Sequence, residues 1–82
     1  MKKELYLAKS DAKYYAEQYA KDFAGATVKD ETSHAVASDT TDFDYVDRDM
    51  NNLCWSGELA GYTVIDADGQ LAGIFAYFDA QK

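Results

Sequence analysis

The side chains of this chain that could react or bind an ion are few, and most of them are carboxylates. The 82 residues include one histidine, His34, one thiol, Cys54, and fifteen acidic side chains. A Cys–His pair can act as nucleophile and base, but neither residue has a neighbour that would orient it. Two residues are too few for a structural zinc site, and the chain has no glycine-rich phosphate loop. The sequence therefore predicts no enzyme and no cofactor.

The densest acidic segment is SDTTDFDYVDRD, which covers residues 38–49. It contains five aspartates, Asp39, Asp42, Asp44, Asp47 and Asp49. A calcium loop starting at Asp42 would need glycine at position six and glutamate at position twelve, where the chain has Asp47 and Leu53. The D-x-D-G sequence at residues 66–69 fails the same test at its first and last ligand positions. We expect no metal site.

Charge is distributed unevenly along the chain. Residues 30–81 contain eleven carboxylates and one basic side chain, Arg48, whereas the first 29 residues are mildly basic. With a formal net charge of −7, the chain lacks the basic residues that bind nucleic acid or an anionic membrane. We expect instead a basic, Lys- and Arg-rich protein partner, plausibly one that binds nucleic acid itself. The alternative is that the acids serve only solubility.

A row of carboxylates can also mimic the phosphates of a nucleic acid. Eleven extended residues span roughly 35 Å, so the acidic run holds about one net charge per 8–9 Å, whereas duplex DNA holds about one per 1.7 Å. Mimicry would therefore need other acids, such as Asp30, Glu31, Glu58 or the acids at residues 66–68, to converge on the same face. The alternative is a solvated acidic edge that protects a β-protein from aggregation.

The bulk composition predicts a single folded domain over residues 1–82. The chain is 48% hydrophobic and 15% aromatic, which is typical of a packed core and not of a disordered acidic tail. A lone cysteine indicates a reducing compartment. The apolar stretch of residues 5–8 is too short for an export signal, and no segment approaches the length of a membrane span. We expect a cytoplasmic protein.

One amphipathic helix is predicted over residues 10–24, with Ser10 as N-cap and Gly25 just beyond its end. Its apolar stripe consists of Ala12, Tyr15, Ala16, Tyr19 and Phe23. Tyr14 projects from the opposite, solvated side, which makes it a candidate for a contact with a partner. Short strands are expected at residues 34–37 and 41–46.

A C-terminal β-hairpin is predicted over residues 61–79. Asp68-Gly69 is typical of a two-residue type I′ turn, which would pair residue i with residue 137 − i. One face would then hold Tyr62, Val64, Leu71, Phe75 and Tyr77, and the other Thr63, Ile65, Ala72, Ile74 and Phe78. Since one helix covers only one face, the second must be shielded by neighbouring strands, a partner or a homodimer.

These patterns predict an α+β fold, in which the N-terminal helix packs on an antiparallel sheet of three or four strands that ends in the hairpin. The acidic strand and loop region, residues 30–58, would bind the partner. The candidate partner-binding residues are Asp39, Asp42, Asp44, Asp47, Asp49, Tyr45, Trp55 and Glu58. The acids would provide charge complementarity and the two aromatic residues the buried anchors.

In its size, its acidity and its lack of catalytic groups, the chain resembles the small single-domain proteins with which phages and mobile elements inhibit CRISPR or restriction machinery. The resemblance implies a stoichiometric inhibitor or regulator of a nucleic-acid-handling protein. The alternative hypothesis is a structural subunit that oligomerises through the apolar second face of the hairpin. A third hypothesis, a sensor of a small molecule or metal, has no motif behind it.

Overall fold

The computed structural model describes residues 1–32, 36, 43–45 and 59–78. The elements are β1 (Lys2–Tyr6), α1 (Lys9–Ala20), β2 (Thr27–Asp30), β3 (Asp44–Tyr45), β4 (Ala60–Ile65) and β5 (Leu71–Tyr77). The strands form one sheet in the order β2-β4-β5-β1-β3, with the helix packed chiefly on β4 and β5. Four strands have four or more residues, and β3 is a two-residue strand at the edge. The fold is therefore α+β.

The sheet is mixed, so the predicted all-antiparallel arrangement is wrong. β4 pairs antiparallel with β2 and β5, whereas β1 lies between β5 and β3 and is parallel to both. Parallel pairing needs a long connection, and the chain between β1 and its parallel neighbours includes α1, which returns it across the sheet. β1 was not predicted as a strand because three of its five residues are charged.

The helix begins one residue earlier and ends four residues earlier than the predicted range of 10–24. Its N-cap is Ala8, which has no side-chain capping bond, so the predicted cap at Ser10 is wrong. Residues 21–25 form turns, and Gly25, the last of them, adopts a positive φ of 79°. The helix is anchored by Ala12 and Ala16, which are fully buried against the sheet.

The core between helix and sheet is largely aromatic. Its buried members, here called the helix-side core, are Tyr6, Ala12, Ala16, Tyr62, Val64, Phe75 and Tyr77. The predicted stripe is only partly correct, because Tyr15 and Phe23 are exposed. The two rings instead extend the core outward, Tyr15 by stacking on Tyr6 and Phe23 by an edge contact with Tyr19.

The connection between β4 and β5 differs from the predicted two-residue turn. The Gly69 N–H donates to the Asp66 carbonyl at 3.0 Å, and the Asp66 N–H donates to the Gln70 carbonyl at 2.9 Å. In this part of the chain positive φ occurs at Gly69 and not at Asp68. This is a three-residue loop, a type I turn followed by a left-handed glycine. The hairpin predicted over residues 61–79 is therefore not confirmed as drawn.

A bulge restores the register beyond the turn. From Ala60↔Tyr77 to Val64↔Gly73 the pairs follow the predicted sum of 137, but Ile65 pairs with Leu71 and leaves Ala72 as an extra residue. An extra residue exchanges the faces of the side chains on either side of it. Ala72 consequently packs against the helix-side core, and Leu71, predicted on that face, is exposed.

The sheet face away from the helix is covered by the chain's own residues. Leu5 and Ala76 are fully buried there, with Phe43 and Leu59 packed over them. Val36, Ile74 and Phe78 pack around this opposite core. The Val36 N–H donates to the Leu59 carbonyl at 2.7 Å, and this hydrogen bond holds Val36 beside the start of β4. The need for a second copy or a partner to shield this face is thereby reduced.

Candidate partner-binding site

Most of the predicted site lies outside the described residues. This applies to Asp39, Asp42, Asp47, Asp49, Trp55 and Glu58, and also to His34 and Cys54. The structure places two members of the predicted site, Asp44 and Tyr45, together in β3, and describes the strand position of Tyr45. The geometry of the site is therefore built on β3 and its neighbours.

β3 is an edge strand whose described side chains alternate as predicted. Phe43, which directly precedes the strand, is buried in the opposite core, and Asp44 is exposed. The Lys3 Nζ lies 5.9 Å from the centroid of the Phe43 ring, a cation–π contact on the same face. Packing of Phe43 thus fixes the strand to the sheet while Asp44 remains accessible to a partner.

A second carboxylate, Glu4, lies beside Asp44 and was missed by the sequence analysis. The parallel register pairs Glu4 with Asp44 and Leu5 with Tyr45. Register partners in a sheet point to the same face, and Leu5 and Phe43 occupy the opposite face, so Glu4 and Asp44 both lie on the helix side. No sequence signal indicates this pair, because 40 residues separate its members. Glu4 also lies in the mildly basic segment of residues 1–29 and not in the acidic part of the chain.

Glu4 is held in place by two neighbours. The Lys2 Nζ lies 3.7 Å from its carboxylate, and the Tyr6 hydroxyl donates a hydrogen bond to it. Burial raises the pKa of Tyr6 well above its ordinary value, and the hydrogen bond to Glu4 raises it further. Tyr6 is therefore a neutral hydrogen-bond donor to Glu4 throughout the ordinary pH range.

The opposite edge of the sheet has its own acidic residue. Asp30, at the end of β2, accepts hydrogen bonds from the Thr32 hydroxyl and from the Thr32 N–H, the latter at 2.9 Å. These bonds lower the pKa of Asp30. Burial raises the pKa of the neighbouring Tyr62, and the charge of Asp30 raises it further.

The described acids share a sheet face but are not gathered in one place. Asp30 pairs with Tyr62 of the helix-side core, so it lies on the same side of the sheet as Asp44. Asp30 and Asp44 lie on the two edge strands, four strand spacings or roughly 19 Å apart. Asp66 lies in the β4–β5 connection, where its Oδ1 accepts from the N–H groups of Asp68 at 3.0 Å and Gln70 at 2.9 Å. Its carboxylate thus stabilises the turn. Only the β3 edge combines an exposed aspartate with a neighbouring carboxylate from another described strand.

Two further observations concern other classes of partner. Among residues 1–32, 36, 43–45 and 59–78, no cluster of three or more His, Cys, Asp or Glu side chains could hold a metal ion. The described helix is too short and too polar to cross a membrane.

Comparison with known proteins identifies no relative: no protein-family model, no curated protein and no solved structure matches the chain significantly.

Proposed function

We propose that the chain is a small acidic protein-binding module that blocks a basic nucleic-acid-handling protein, of the anti-CRISPR or anti-restriction type. The observation behind the proposal is the β3 edge, where the exposed Asp44 lies beside Glu4 on the helix side of the sheet. Glu4 is already paired with Lys2, so Asp44 is the carboxylate of this pair that is open to a basic side chain from a partner. The sequence adds four more aspartates within five residues of Asp44.

Asp30 and Asp44 lie at opposite edges of the sheet, so we assign the blocking of the partner to the β3 edge alone. An acidic edge blocks a partner by occupying its Lys/Arg-lined site, and it needs no phosphate-like row of charges across the whole surface. The alternative, a subunit that oligomerises through the apolar face of the sheet, loses its main argument because Leu5 and Ala76 are buried by residues of the same chain.

Neutralising the acidic edge tests the proposal. The triple variant Asp42→Asn, Asp44→Asn, Asp47→Asn should associate with the partner about tenfold more slowly at low salt, because charge complementarity acts mainly on the rate of encounter. The partner is first captured from a lysate of cells that naturally express the protein, at low and high salt. Duplex DNA or RNA added to the captured complex should compete with the protein for the partner's site.

A matched control separates the edge from the overall charge. The variant Glu17→Gln, Asp22→Asn, Asp68→Asn changes the net charge equally, at exposed positions on the helix, just after it and in the β4–β5 turn. It should associate at close to the native rate. Equal binding by the native chain and the edge variant, or a captured partner with which nucleic acid does not compete, would show that the proposal is wrong.

A further inference from the structure

The long sides of helix α1 differ in charge. Lys9 and Lys13 are four residues apart and lie on one long side of the helix. Asp11 and Tyr15 are four residues apart on the other long side, which faces β1 because Tyr15 stacks on Tyr6. The β1 side therefore has Asp11 as its charged residue and lies next to the edge that includes Asp44.

Two exposed tyrosine rings lie on this acidic side. Tyr14 is 54% exposed and Tyr15 is 47% exposed. Their ring centroids are 5.0 Å apart and their planes are nearly perpendicular, at 86°. The Tyr15 ring is held in place because it stacks on the buried Tyr6 ring, with centroids 5.3 Å apart and planes 9° apart. A ring fixed in this way loses little conformational entropy when a partner binds to it.

Carboxylates surround the ring pair. Tyr6 links it to Glu4 through the hydroxyl hydrogen bond, and Glu4 is the register partner of Asp44. Asp11 lies one helical turn before Tyr15, on the same side of the helix. The described basic group on this surface is Lys2, which is already paired with Glu4.

Beside this surface, the chain itself combines a ring, a carboxylate and a cation. The Lys2 Nζ lies 5.7 Å from the centroid of the Tyr19 ring and 3.7 Å from the Glu4 carboxylate, so an aromatic face and a carboxylate share one positive charge. Tyr14 and Asp11 are three residues apart on the helix, a spacing that makes the ring and the carboxylate neighbours. The cation–π contacts of the described residues involve Tyr19 and Phe43 and not Tyr14.

We propose that the surface formed by Tyr14, Tyr15, Asp11, Glu4 and Asp44, the aromatic–acidic surface, binds an arginine-rich segment of the partner. A guanidinium group stacks on an aromatic ring and at the same time donates hydrogen bonds to a carboxylate, which a lysine ammonium group does less well. The inference rests on the proposed function and adds to it the anchor and the preferred side chain. Tyr14 and Tyr15 take the role that the sequence analysis assigned to Tyr45 and Trp55.

The test uses defined probes, a hexa-arginine and a hexa-lysine peptide, titrated into the full chain by calorimetry at low salt. We expect the arginine peptide to bind several-fold more tightly. Tyr14→Ala should weaken its binding about threefold and Asp11→Asn by a similar factor, whereas Tyr14→Phe should retain it. Phe23→Ala, an exposed ring just beyond the end of the helix, and Asp68→Asn, an exposed aspartate in the β4–β5 turn, serve as matched controls and should bind like the native chain.

The outcomes distinguish this inference from the proposed function. Equal affinity for the two peptides, together with no effect of Tyr14→Ala, would overturn the aromatic–acidic surface and leave charge-based blocking by the β3 edge intact. Preferential arginine binding that depends on Tyr14 supports the surface, even if no nucleic-acid-handling partner is captured. Since Tyr14 is more than half exposed, its substitution tests binding without loss of a core residue.

Discussion

At the scale of single residues, the hydroxyl groups of the described chain differ in whether they have a partner. The Thr32 hydroxyl donates to Asp30, and the Tyr6 hydroxyl donates to Glu4. The Thr63 Oγ1 and the Tyr77 hydroxyl are buried and have no hydrogen-bond partner within the described part of the chain. A buried polar group without a partner loses its hydrogen bonds to water and gains none within the protein. These two positions therefore lower the stability of the fold.

Substitution of Thr63 tests this directly. Thr63→Val removes the hydroxyl, keeps the β-branched shape suited to a strand, and should raise the free energy of unfolding by about 1 kcal/mol. Thr32→Val makes the same chemical change where the hydroxyl has a partner and should lower it by roughly 0.5–1 kcal/mol. Urea unfolding measures both variants. A loss of stability in Thr63→Val would show that its hydroxyl does have a partner.

At the scale of elements, the β4–β5 connection shows how a local signal was interpreted too simply. Asp68-Gly69 does mark a turn, but only Gly69 adopts a positive φ, of 83°, and Asp66 completes the loop with its side chain. Both possible turns place glycine at the same position, so the dipeptide alone does not distinguish them. The pairing along the strands was nevertheless predicted up to Val64, because the bulge at Ala72 compensates for the longer loop.

The turn type has a consequence that can be measured. Gly69→Ala should lower the free energy of unfolding by about 1–2 kcal/mol, because an alanine is strained at positive φ even though nothing lies within 4 Å of its Cβ. Asp68→Ala should change it by less than about 0.5 kcal/mol, since that position has an ordinary φ. Thermal unfolding compares them. A stability gain in an Asp68→Gly variant would instead favour the type I′ turn, which needs positive φ at both residues.

At the scale of the whole molecule, the two faces of the sheet have different covers. The helix covers one, and Val36, Phe43 and Leu59, which lie between β2 and β4 in the sequence, pack on the other. The proposals for partner binding therefore concern the surface beside the β3 edge and not either face of the sheet. The oligomerisation hypothesis started from the two apolar faces of the β4–β5 pair. Of the three covers that the sequence analysis named for the second face, the structure shows residues of the same chain.

The covered face predicts a monomer. Sedimentation equilibrium at tens of micromolar should give the mass of one 9.1 kDa chain. Gly61 allows Val36 to pack closely on this face, because a Cβ there would lie 2.7 Å from the Phe75 carbonyl oxygen and 3.1 Å from Val36. A stable dimer that persists in the Tyr14→Ala variant would contradict the prediction and favour the oligomerisation subunit.

The sequence was sufficient for features that depend on local pattern or on composition. The helix position, the alternation of Phe43 and Asp44, most of the pairing along β4 and β5 and the net negative charge all follow from periodicity, turn residues and side-chain counts. None of them requires knowledge of which distant residues meet. The α+β class follows from the same local patterns.

Features that depend on contacts between distant segments came from the folded structure. The parallel placement of β1, the pairing of Glu4 with Asp44, and the separation of Asp30 from Asp44 depend on strand order, which no local period encodes. The same holds for Tyr15. Its helical spacing predicts burial, but its ring stays exposed because it stacks on the outer side of the buried Tyr6, at the rim of the core. Long-range packing selects among arrangements that local preferences allow equally, and here it decided which charges and rings share a surface.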